Sequence, residues 1–178
     1  MKFTLNQPQT FSEQGQKSNQ EDRIAPVRTS MNRATRCFVL CDGMGGHEHG
    51  EVAAEIVSQS LYEALTAGAE EPDLMSDERF KIALAKSYTA LDRMEVGEGK
   101  RPGTTMTCLY FAENGVLAAH IGDSRIYQIR PGRGVIFKTR DHSLVNDLIR
   151  AGELTEEEAV NYPRKNVITR AMQPGLDR

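Results

Sequence analysis

The sequence predicts an α+β fold, and three patterns along the chain support this class. A nearly continuous apolar segment at residues 36–41 indicates a buried strand that ends at an aspartate and a glycine-rich turn. Two segments with helical spacing of apolar residues follow. After them the period changes to the two-residue alternation of short strands joined by tight turns, which predicts antiparallel hairpins.

Length and composition favour one soluble domain. The chain has 178 residues, of which 39% are hydrophobic, and this is enough for a substantial core. A formal charge of −3 with mixed signs gives no basic stripe, so a nucleic-acid partner is not expected. No apolar run approaches the ~20 residues that span a bilayer, and the first residues lack the apolar part of a secretory signal. We therefore expect a cytoplasmic protein without a membrane partner.

The amino-terminal third contains three of the predicted strands and two of the three cysteines. Weak strands are predicted at residues 2–5 and 23–27, ahead of the stronger strand at 36–41. The cysteines are Cys37, Cys41 and Cys108, an odd number without a C-x-x-C pair. We therefore expect buried thiols rather than a disulfide framework or a zinc site.

The middle of the chain predicts two amphipathic helices. Apolar residues recur at helical spacing from residue 50 to residue 67, with glutamates on the other faces. Ser76 is expected to cap the second helix, because Asp77 and Glu78 then fall in its first turn and complement the helix dipole. This helix is expected to stop near residues 97–99, where two glycines occur.

The last part predicts short strands and then short helices. The strands are expected at 104–111, 116–121, 125–129 and 135–138. Ser143 is expected to cap a helix over residues 144–151 that Gly152 closes. Thr155 and Glu158 have the spacing of a capping box for one more short helix.

Three aspartates stand out because each lies in a short polar break at the end of a predicted strand. They are Asp22, Asp42 and Asp123, and the glycine-rich turn at residues 43–46 follows the second of them. Carboxylate and carbonyl oxygens are the ligands that Mg²⁺ and Mn²⁺ prefer. Each aspartate alone is an ordinary turn residue, so only their joint occurrence indicates a metal centre.

Other polar residues in these regions are interpreted as structural. His47 and His49 stand at an expected helix start, where surface or capping roles are favoured over metal binding. His120 lies in a predicted strand and is expected to be a hydrogen-bonded core or interface histidine. Thr104 and Thr105 are expected to be structural, with one hydroxyl buried and bonded to the backbone.

Six motifs carry a resemblance to a known family. They are Asn-Gln-Glu-Asp at 19–22, Asp-Gly-Met-Gly-Gly-His at 42–47, Gly-Thr-Thr at 103–105, Gly-Asp-Ser-Arg at 122–125, Asp-His-Ser at 141–143 and Asn-Val-Ile-Thr-Arg-Ala at 166–171. In this order the chain resembles the PPM-type, or type 2C, metal-dependent serine/threonine protein phosphatases, specifically their compact bacterial branch. The match covers nearly the whole chain, and several motifs at compatible spacings are far more specific than any one of them.

The resemblance implies a fold and an activity. It implies a central sandwich of two antiparallel β-sheets flanked by helices, an αββα arrangement, in a single domain over residues 1–178. It also implies hydrolysis of protein phosphoserine and phosphothreonine by a metal-activated water, with two core Mn²⁺ or Mg²⁺ ions and a third, weaker ion. Residues 143–166 match the mobile flap that influences substrate choice. The expected partners of this monomeric signalling enzyme are phosphorylated proteins and a cognate serine/threonine kinase.

The resemblance also assigns site residues. Asp42 would bridge the two core metals, the carbonyl of Gly43 would ligate one of them, and Asp22 would hold a metal-bound water. Asp42 and Asp22 are therefore the expected catalytic residues. Asp123 would bind the third metal. Lys17 stands where the family usually has an arginine that grips the phosphate, and a point charge in place of a planar fork implies weaker or less oriented binding.

Two departures from the family pattern shape the remaining expectations. Met44 replaces the histidine that eukaryotic members use as a proposed general acid, so no general acid is assigned. Family members also continue beyond the motif at 166–171 into an Asp-Gly strand and an Asp-Asn turn that ligate the metals, whereas this sequence ends at Arg178. We therefore expect a catalytic domain lacking its C-terminal part.

Two alternatives remain open from the sequence. The chain is alternatively a truncated, catalytically weak or inactive relative that binds phosphoproteins or a partner phosphatase. An unrelated α+β domain with coincidental turns is a third interpretation.

Overall fold

A computed structural model of the chain describes residues 4–45, 49–68, 73–96 and 102–175. Within these ranges it contains two antiparallel sheets and four α-helices, which confirms the α+β class and agrees with a sandwich of sheets and helices. The expectations for residues 2–3, Gly46 and His47 fall outside the described residues. The second helix ends at Leu91, so the predicted stop near residues 97–99 is wrong.

The secondary structure follows the predicted order. The strands are β1 (Asp22–Ala25), β2 (Cys37–Met44), β3 (Gly103–Thr104), β4 (Met106–Ala112), β5 (Gly115–Ile121), β6 (Tyr127–Arg130) and β7 (Gly134–Lys138). The helices are α1 (Gly50–Thr66), α2 (Asp77–Leu91), α3 (Leu144–Ala151) and α4 (Glu156–Val160), with a 3₁₀ turn at Arg28–Ser30. One sheet has the order β1-β2-β4-β5, with β3 also paired to β2, and the second sheet is the β6–β7 hairpin.

One face of the larger sheet forms the core with α1. Along β2 the buried residues alternate, and Cys37, Val39 and Cys41 face the helix side. In α1 the buried apolar side chains are Ala53, Ala54, Val57, Leu61 and Leu65. These residues recur at helical spacing on one side of α1, as the sequence predicts, and they pack against β2, β1 and α2.

The residues that alternate with the buried ones along β2 lie on the opposite face of this sheet. Phe38 packs edge-on against Phe111 with ring centroids 6.3 Å apart, while Leu40 and Val116 are 38% and 44% exposed. Asp42 continues the same row of β2, because positions 38, 40 and 42 alternate with the buried positions. The candidate site therefore lies at the end of the face that points away from α1.

Two glycines let β2 and α1 approach closely. A Cβ atom on Gly43 would overlap the backbone carbonyl of Gly50, and a Cβ atom on Gly50 would lie 2.9 Å from the amide nitrogen of Met44. Only glycine tolerates this contact between two backbones. The contact fixes the start of α1 against the end of β2, next to Asp42.

Arg79 in the first turn of α2 joins three parts of the fold. Its guanidinium donates hydrogen bonds to the Asp73 carboxylate at 2.7 Å, to the carbonyl oxygen of Leu65 at 2.7 Å and to the Tyr110 hydroxyl at 3.1 Å. The Tyr110 hydroxyl donates to Asp73 at 2.7 Å. Ser76 caps α2 by accepting the amide of Arg79, which confirms the predicted cap.

The segment that contains α3 and α4 begins and ends at neighbouring backbone positions, residues 142–144 and 167–169. The amide of Leu144 donates to the carbonyl of Val167, and the amide of Thr169 donates to the carbonyl of His142, both at 2.9 Å. Ser143 also pairs with Ile168 in an isolated antiparallel bridge. The two ends of this loop are therefore fastened to each other.

The caps predicted for both short helices are present. Ser143 accepts the amide of Asn146, and Gly152 closes α3 in the left-handed conformation. Thr155 and Glu158 form the full capping box of α4.

Several predicted boundaries are wrong. Residues 4–5 are not in a strand, and β1 ends at Ala25 rather than at residue 27. The strand expected from 104 to 111 breaks at Thr105, because the amide and hydroxyl of this residue bond the backbone of Asp42 instead of continuing a regular ladder. Strand β2 continues past Asp42 because Gly43 and Met44 pair with β3.

Candidate active site

Asp22 and Asp42 lie side by side in the sheet. They are direct partners in the antiparallel register of β1 and β2, so both side chains leave the same face. The amide of Asp22 donates to the side-chain oxygen of Gln20 at 3.2 Å, which fixes the start of β1. Two of the sequence-predicted site residues are thus brought together.

Lys17 lies beside this pair. Its ammonium nitrogen is 3.9 Å from Asp42 Oδ1 and 3.5 Å from Glu21 Oε2. The side chain of Lys17 is 57% exposed, so the ammonium group remains open to an anion from solvent. The structure therefore brings Lys17 to the Asp22–Asp42 pair, with its ammonium group next to the carboxylates of Glu21 and Asp42.

The electrostatics of this group follow from its composition. Partial burial raises the pKa of the Asp42 carboxyl above its ordinary value, and the neighbouring Asp22 charge raises it further. The Lys17 ammonium lowers this pKa and so offsets part of the effect. A second cation between the two carboxylates would remove the repulsion that remains.

Thr104 and Thr105 hold the backbone of Asp42 from the other side. The Thr104 hydroxyl donates to the carbonyl of Asp42 at 3.1 Å, and the Thr105 amide donates to the same carbonyl at 2.9 Å. The Thr105 hydroxyl accepts the amide of Asp42 at 3.0 Å. Both threonines are fully buried, so the expectation of a structural, backbone-bonded hydroxyl is confirmed.

Asp123 lies in the turn after β5 and is exposed. Its neighbours Gly122 and Ser124 both contact Thr105, which bonds the backbone of Asp42, and the charge of Asp123 raises the pKa of Asp42. The structure therefore brings Asp123 toward the pair but not into contact with it.

Two interactions next to this turn are not predicted by the sequence patterns. Arg125 binds Asp141 through two hydrogen bonds, of 2.6 Å and 2.5 Å. The rings of His120 and His142 stack with centroids 4.6 Å apart, and His120 Nε2 donates to the carbonyl of Arg140 at 2.8 Å. The expectation of a hydrogen-bonded His120 is confirmed.

The partners in these interactions are distant in sequence. Arg125, Asp141 and His142 lie in the Gly-Asp-Ser-Arg and Asp-His-Ser motifs, and His120 lies in a predicted strand, but no local pattern pairs these residues.

His142 also holds the turn itself. Its Nδ1 accepts the amide of Gly122 at 3.1 Å, and its own amide donates to the carbonyl of Gly122 at 3.0 Å. Burial lowers the pKa of His142 below its ordinary value of 6.5, and the charges of His120 and Arg170 lower it further. His142 is therefore held in the neutral form that accepts this hydrogen bond.

The donor set suits part of a site for a hard cation. Asp22, Asp42 and the carbonyl of Gly43 offer oxygen ligands of the kind that Mg²⁺ and Mn²⁺ prefer. In the described ranges no three His, Cys, Asp or Glu side chains gather into a metal-binding group. The residues present thus fit a divalent cation with two carboxylates, and further ligands have to complete its coordination.

The cysteines take no part in this site. Cys37, Cys41 and Cys108 are buried free cysteines, as expected. Contact with Cys108 and burial both raise the pKa of the Cys37 thiol, and burial raises that of Cys41. Such thiols are poor nucleophiles. His49 occupies the N-cap position of α1 without a capping hydrogen bond from its side chain.

Comparisons with known proteins agree with the resemblance seen in the sequence. Residues 12–172 match the family model described as Protein phosphatase 2C. Protein phosphatase PhpP of Streptococcus pneumoniae is 39% identical over 148 residues, which are 82% of this chain and 60% of PhpP.

Solved structures give the same result. The serine/threonine phosphatase PstP/Ppp of Mycobacterium tuberculosis superposes with a TM-score of 0.71 at 34% identity, covering 90% of this chain and 65% of that one. The catalytic domain of PstP in complex with two manganese ions superposes with a TM-score of 0.64 at 34% identity, covering 87% of this chain and 61% of its own.

The chain therefore spans less than two thirds of the length of these relatives, 60% of PhpP and 65% of PstP/Ppp. In the part that the structure describes, no helix has both the length and the apolar character needed to cross a membrane.

Proposed function

Because the chain belongs to the protein phosphatase 2C family, we propose that it hydrolyses phosphoserine and phosphothreonine in phosphorylated proteins with the help of Mn²⁺ or Mg²⁺. The observation that carries this proposal is the opposed pair of carboxylates, Asp22 and Asp42, with Lys17 beside it. A like-charged pair fixed in a sheet register and partly withdrawn from water is costly unless a cation is bound there.

In this proposal the residues of the pair hold the metal. Asp42 and the carbonyl of Gly43 would hold the core ions, Asp22 would hold a water beside them, and Asp123 would hold a third, weaker ion. Bound divalent ions supply positive charge that lowers the pKa of a water molecule and neutralises the phosphate. The close contact between Gly43 and Gly50 and the threonine hydrogen bonds keep Asp42 in place before any ligand arrives.

Lys17 binds the substrate phosphate in this proposal. Its ammonium group is largely exposed and lies within 4 Å of Asp42, so an anion bound to Lys17 is next to the proposed metal position. Because the ammonium carries no planar fork, it attracts the phosphate without orienting it.

Residues 143–166, with α3 and α4, form the proposed flap beside the site within a single domain. Support comes from a polar cavity of about 380 Å³ that lies between the flap and the turn after β5. Its lining includes Asp123, Arg125, Asn146 and Lys165. A cognate kinase, the monomeric state and a cytoplasmic location remain predictions from the sequence.

Phosphate release from a phosphothreonine peptide tests this function. The chain should release phosphate with Mn²⁺ or Mg²⁺ and not with EDTA, and Asp42→Asn should lower the rate by about 100-fold or more. Asp77→Asn, the same change in the first turn of α2, is the matched control and should leave the rate unchanged. Equal rates for Asp42→Asn and the unaltered chain, or no release under any metal condition, would contradict the proposal.

A further inference from the structure

Thr105 touches two separate parts of the site at once. Its hydroxyl accepts the amide of Asp42 at 3.0 Å and also lies 2.7 Å from the hydroxyl of Ser124. The side chain is fully buried at the junction between β3 and β4. One hydroxyl group thus connects the strand that carries Asp42 with the turn that carries Asp123.

The methyl group of Thr105 makes a second contact with the same turn. Gly122 has a positive φ of 99°, and a Cβ atom there would lie 2.7 Å from the methyl carbon of Thr105. On its other side Gly122 is held by His142 through two hydrogen bonds. The turn is therefore packed between Thr105 and His142, with no room for a side chain at position 122.

Asp123 depends on this packing for its position. The structure gives its carboxylate no hydrogen bond to any described residue, and the side chain is exposed. Its place relative to Asp42 is consequently set by its neighbours in the turn, Gly122 and Ser124, and both of these contact Thr105.

We propose that Thr105 is a positioning residue that fixes the Asp123 turn relative to Asp42, so that both carboxylates serve one metal centre. This inference rests on the proposed function, because the contacts of Thr105 can serve metal binding only if Asp42 and Asp123 hold cations. The hydroxyl suits the role because it can accept a hydrogen bond from the Asp42 amide and form a second hydrogen bond with the Ser124 hydroxyl.

Three substitutions separate the contributions. Thr105→Val keeps the shape of the side chain and removes the hydroxyl, which breaks both links. Thr105→Ser keeps the hydroxyl and removes only the methyl group, so it is the conservative rescue. Ser124→Ala removes the link to the turn while the Asp42 amide keeps its partner.

Amide hydrogen exchange in the metal-free chain tests the link itself. Thr105→Val should speed exchange of the Asp42 amide by at least about tenfold, whereas Thr105→Ser and Ser124→Ala should leave it near the unaltered rate. Unchanged protection of this amide in Thr105→Val would overturn the inference. If Thr105→Val fails to fold, the Gly122 amide is compared in the unaltered chain and in Ser124→Ala. The inference expects this amide to exchange more slowly in the unaltered chain. Equal exchange in the two chains would overturn it.

Manganese titration by calorimetry tests the purpose of the link. Thr105→Val should weaken Mn²⁺ binding by about 10- to 100-fold, and Thr105→Ser should restore most of it. Ser124→Ala combined with Asp123→Asn should bind no more weakly than Asp123→Asn alone, because both changes disable the same ligand.

The controls keep the two proposals apart. If Asp42→Asn binds Mn²⁺ as well as the unaltered chain, the proposed function fails. If Asp42→Asn loses Mn²⁺ while Thr105→Val keeps it, only the positioning role fails.

Discussion

Asp22 stands directly opposite Asp42 in the pairing of β1 with β2, and both carboxylates project from the face that points away from α1. Like charges at directly opposed positions of a sheet destabilise the pairing. The nearby Lys17 ammonium, 3.9 Å from Asp42, offsets part of this cost. The sheet therefore holds a strained electrostatic arrangement at the place where a cation is expected.

Neutralising one member of this pair should stabilise the metal-free chain. For Asp42→Asn we expect the free energy of unfolding to rise by a few tenths to about 1 kcal/mol, since solvent screens these half-exposed charges. Urea denaturation in EDTA measures the change. Asp77→Asn is the control and should lower stability slightly, because it removes a charge that complements the dipole of α2. A loss of stability in Asp42→Asn would show that the repulsion is unimportant.

Adding one methyl group between β2 and α1 should lower the free energy of unfolding. Gly50→Ala places a Cβ atom 2.9 Å from the amide nitrogen of Met44 and 3.1 Å from the carbonyl carbon of Gly43. We expect a loss of about 1–3 kcal/mol in urea denaturation, because two backbones have to move apart. Glu51→Ala, one position later in the same helix, should change stability by no more than about 0.5 kcal/mol. Similar small effects at both positions would contradict the close contact.

Stability should fall on mild acidification because of His142. Its pKa is lowered in the folded chain, so between pH 6.5 and that lower value the unfolded chain binds more protons. The contribution of neutral His142 is therefore complete above pH 6.5 and is lost as the pH falls. Denaturation curves from pH 8 to pH 5 measure this slope. His142→Asn, which can still accept the amide of Gly122, should flatten it, and an unchanged slope would assign the effect to other groups.

A second pH dependence should appear in alkali at Tyr110. Burial and the hydrogen bond to Asp73 raise the pKa of Tyr110 to about 12 from its ordinary value of 10.0. The unfolded chain loses this proton first, so stability should fall between about pH 10 and pH 12 by as much as about 2–3 kcal/mol.

Tyr110→Phe separates the hydroxyl from the ring. It should remove the alkaline slope and lower stability at neutral pH by about 1–2 kcal/mol, since Asp73 and Arg79 each lose a partner. Retention of the slope in this variant would contradict the assignment to Tyr110.

The helices and their caps follow from local sequence, which is why they were predictable. Ser76, Ser143 and Thr155 cap helices through contacts within three residues, and apolar spacing alone defines the buried side of α1. Strand boundaries depend on distant partners. The extension of β2 through Met44 requires pairing with β3, and the break at Thr105 requires the backbone of Asp42.

The candidate site likewise contains residues that the sequence identifies and a contact that only the fold reveals. The motifs identified Asp22 and Asp42, the family resemblance added Lys17, and the structure brings these three together. The link from Thr105 to Ser124 joins residues that are 19 positions apart, so it depends on the register of β4 and β5 and no local pattern reveals it.

The fastening of Ser143 to Ile168 has an evolutionary consequence. A loop that departs and rejoins at neighbouring backbone positions can change in length or composition while the sheet keeps its register, and the entropy of closure changes only slowly with length. The two helices between these positions form an exchangeable cassette. Relatives can diversify it, and an engineer can graft one from another member, without redesigning the strands that carry Asp22 and Asp42.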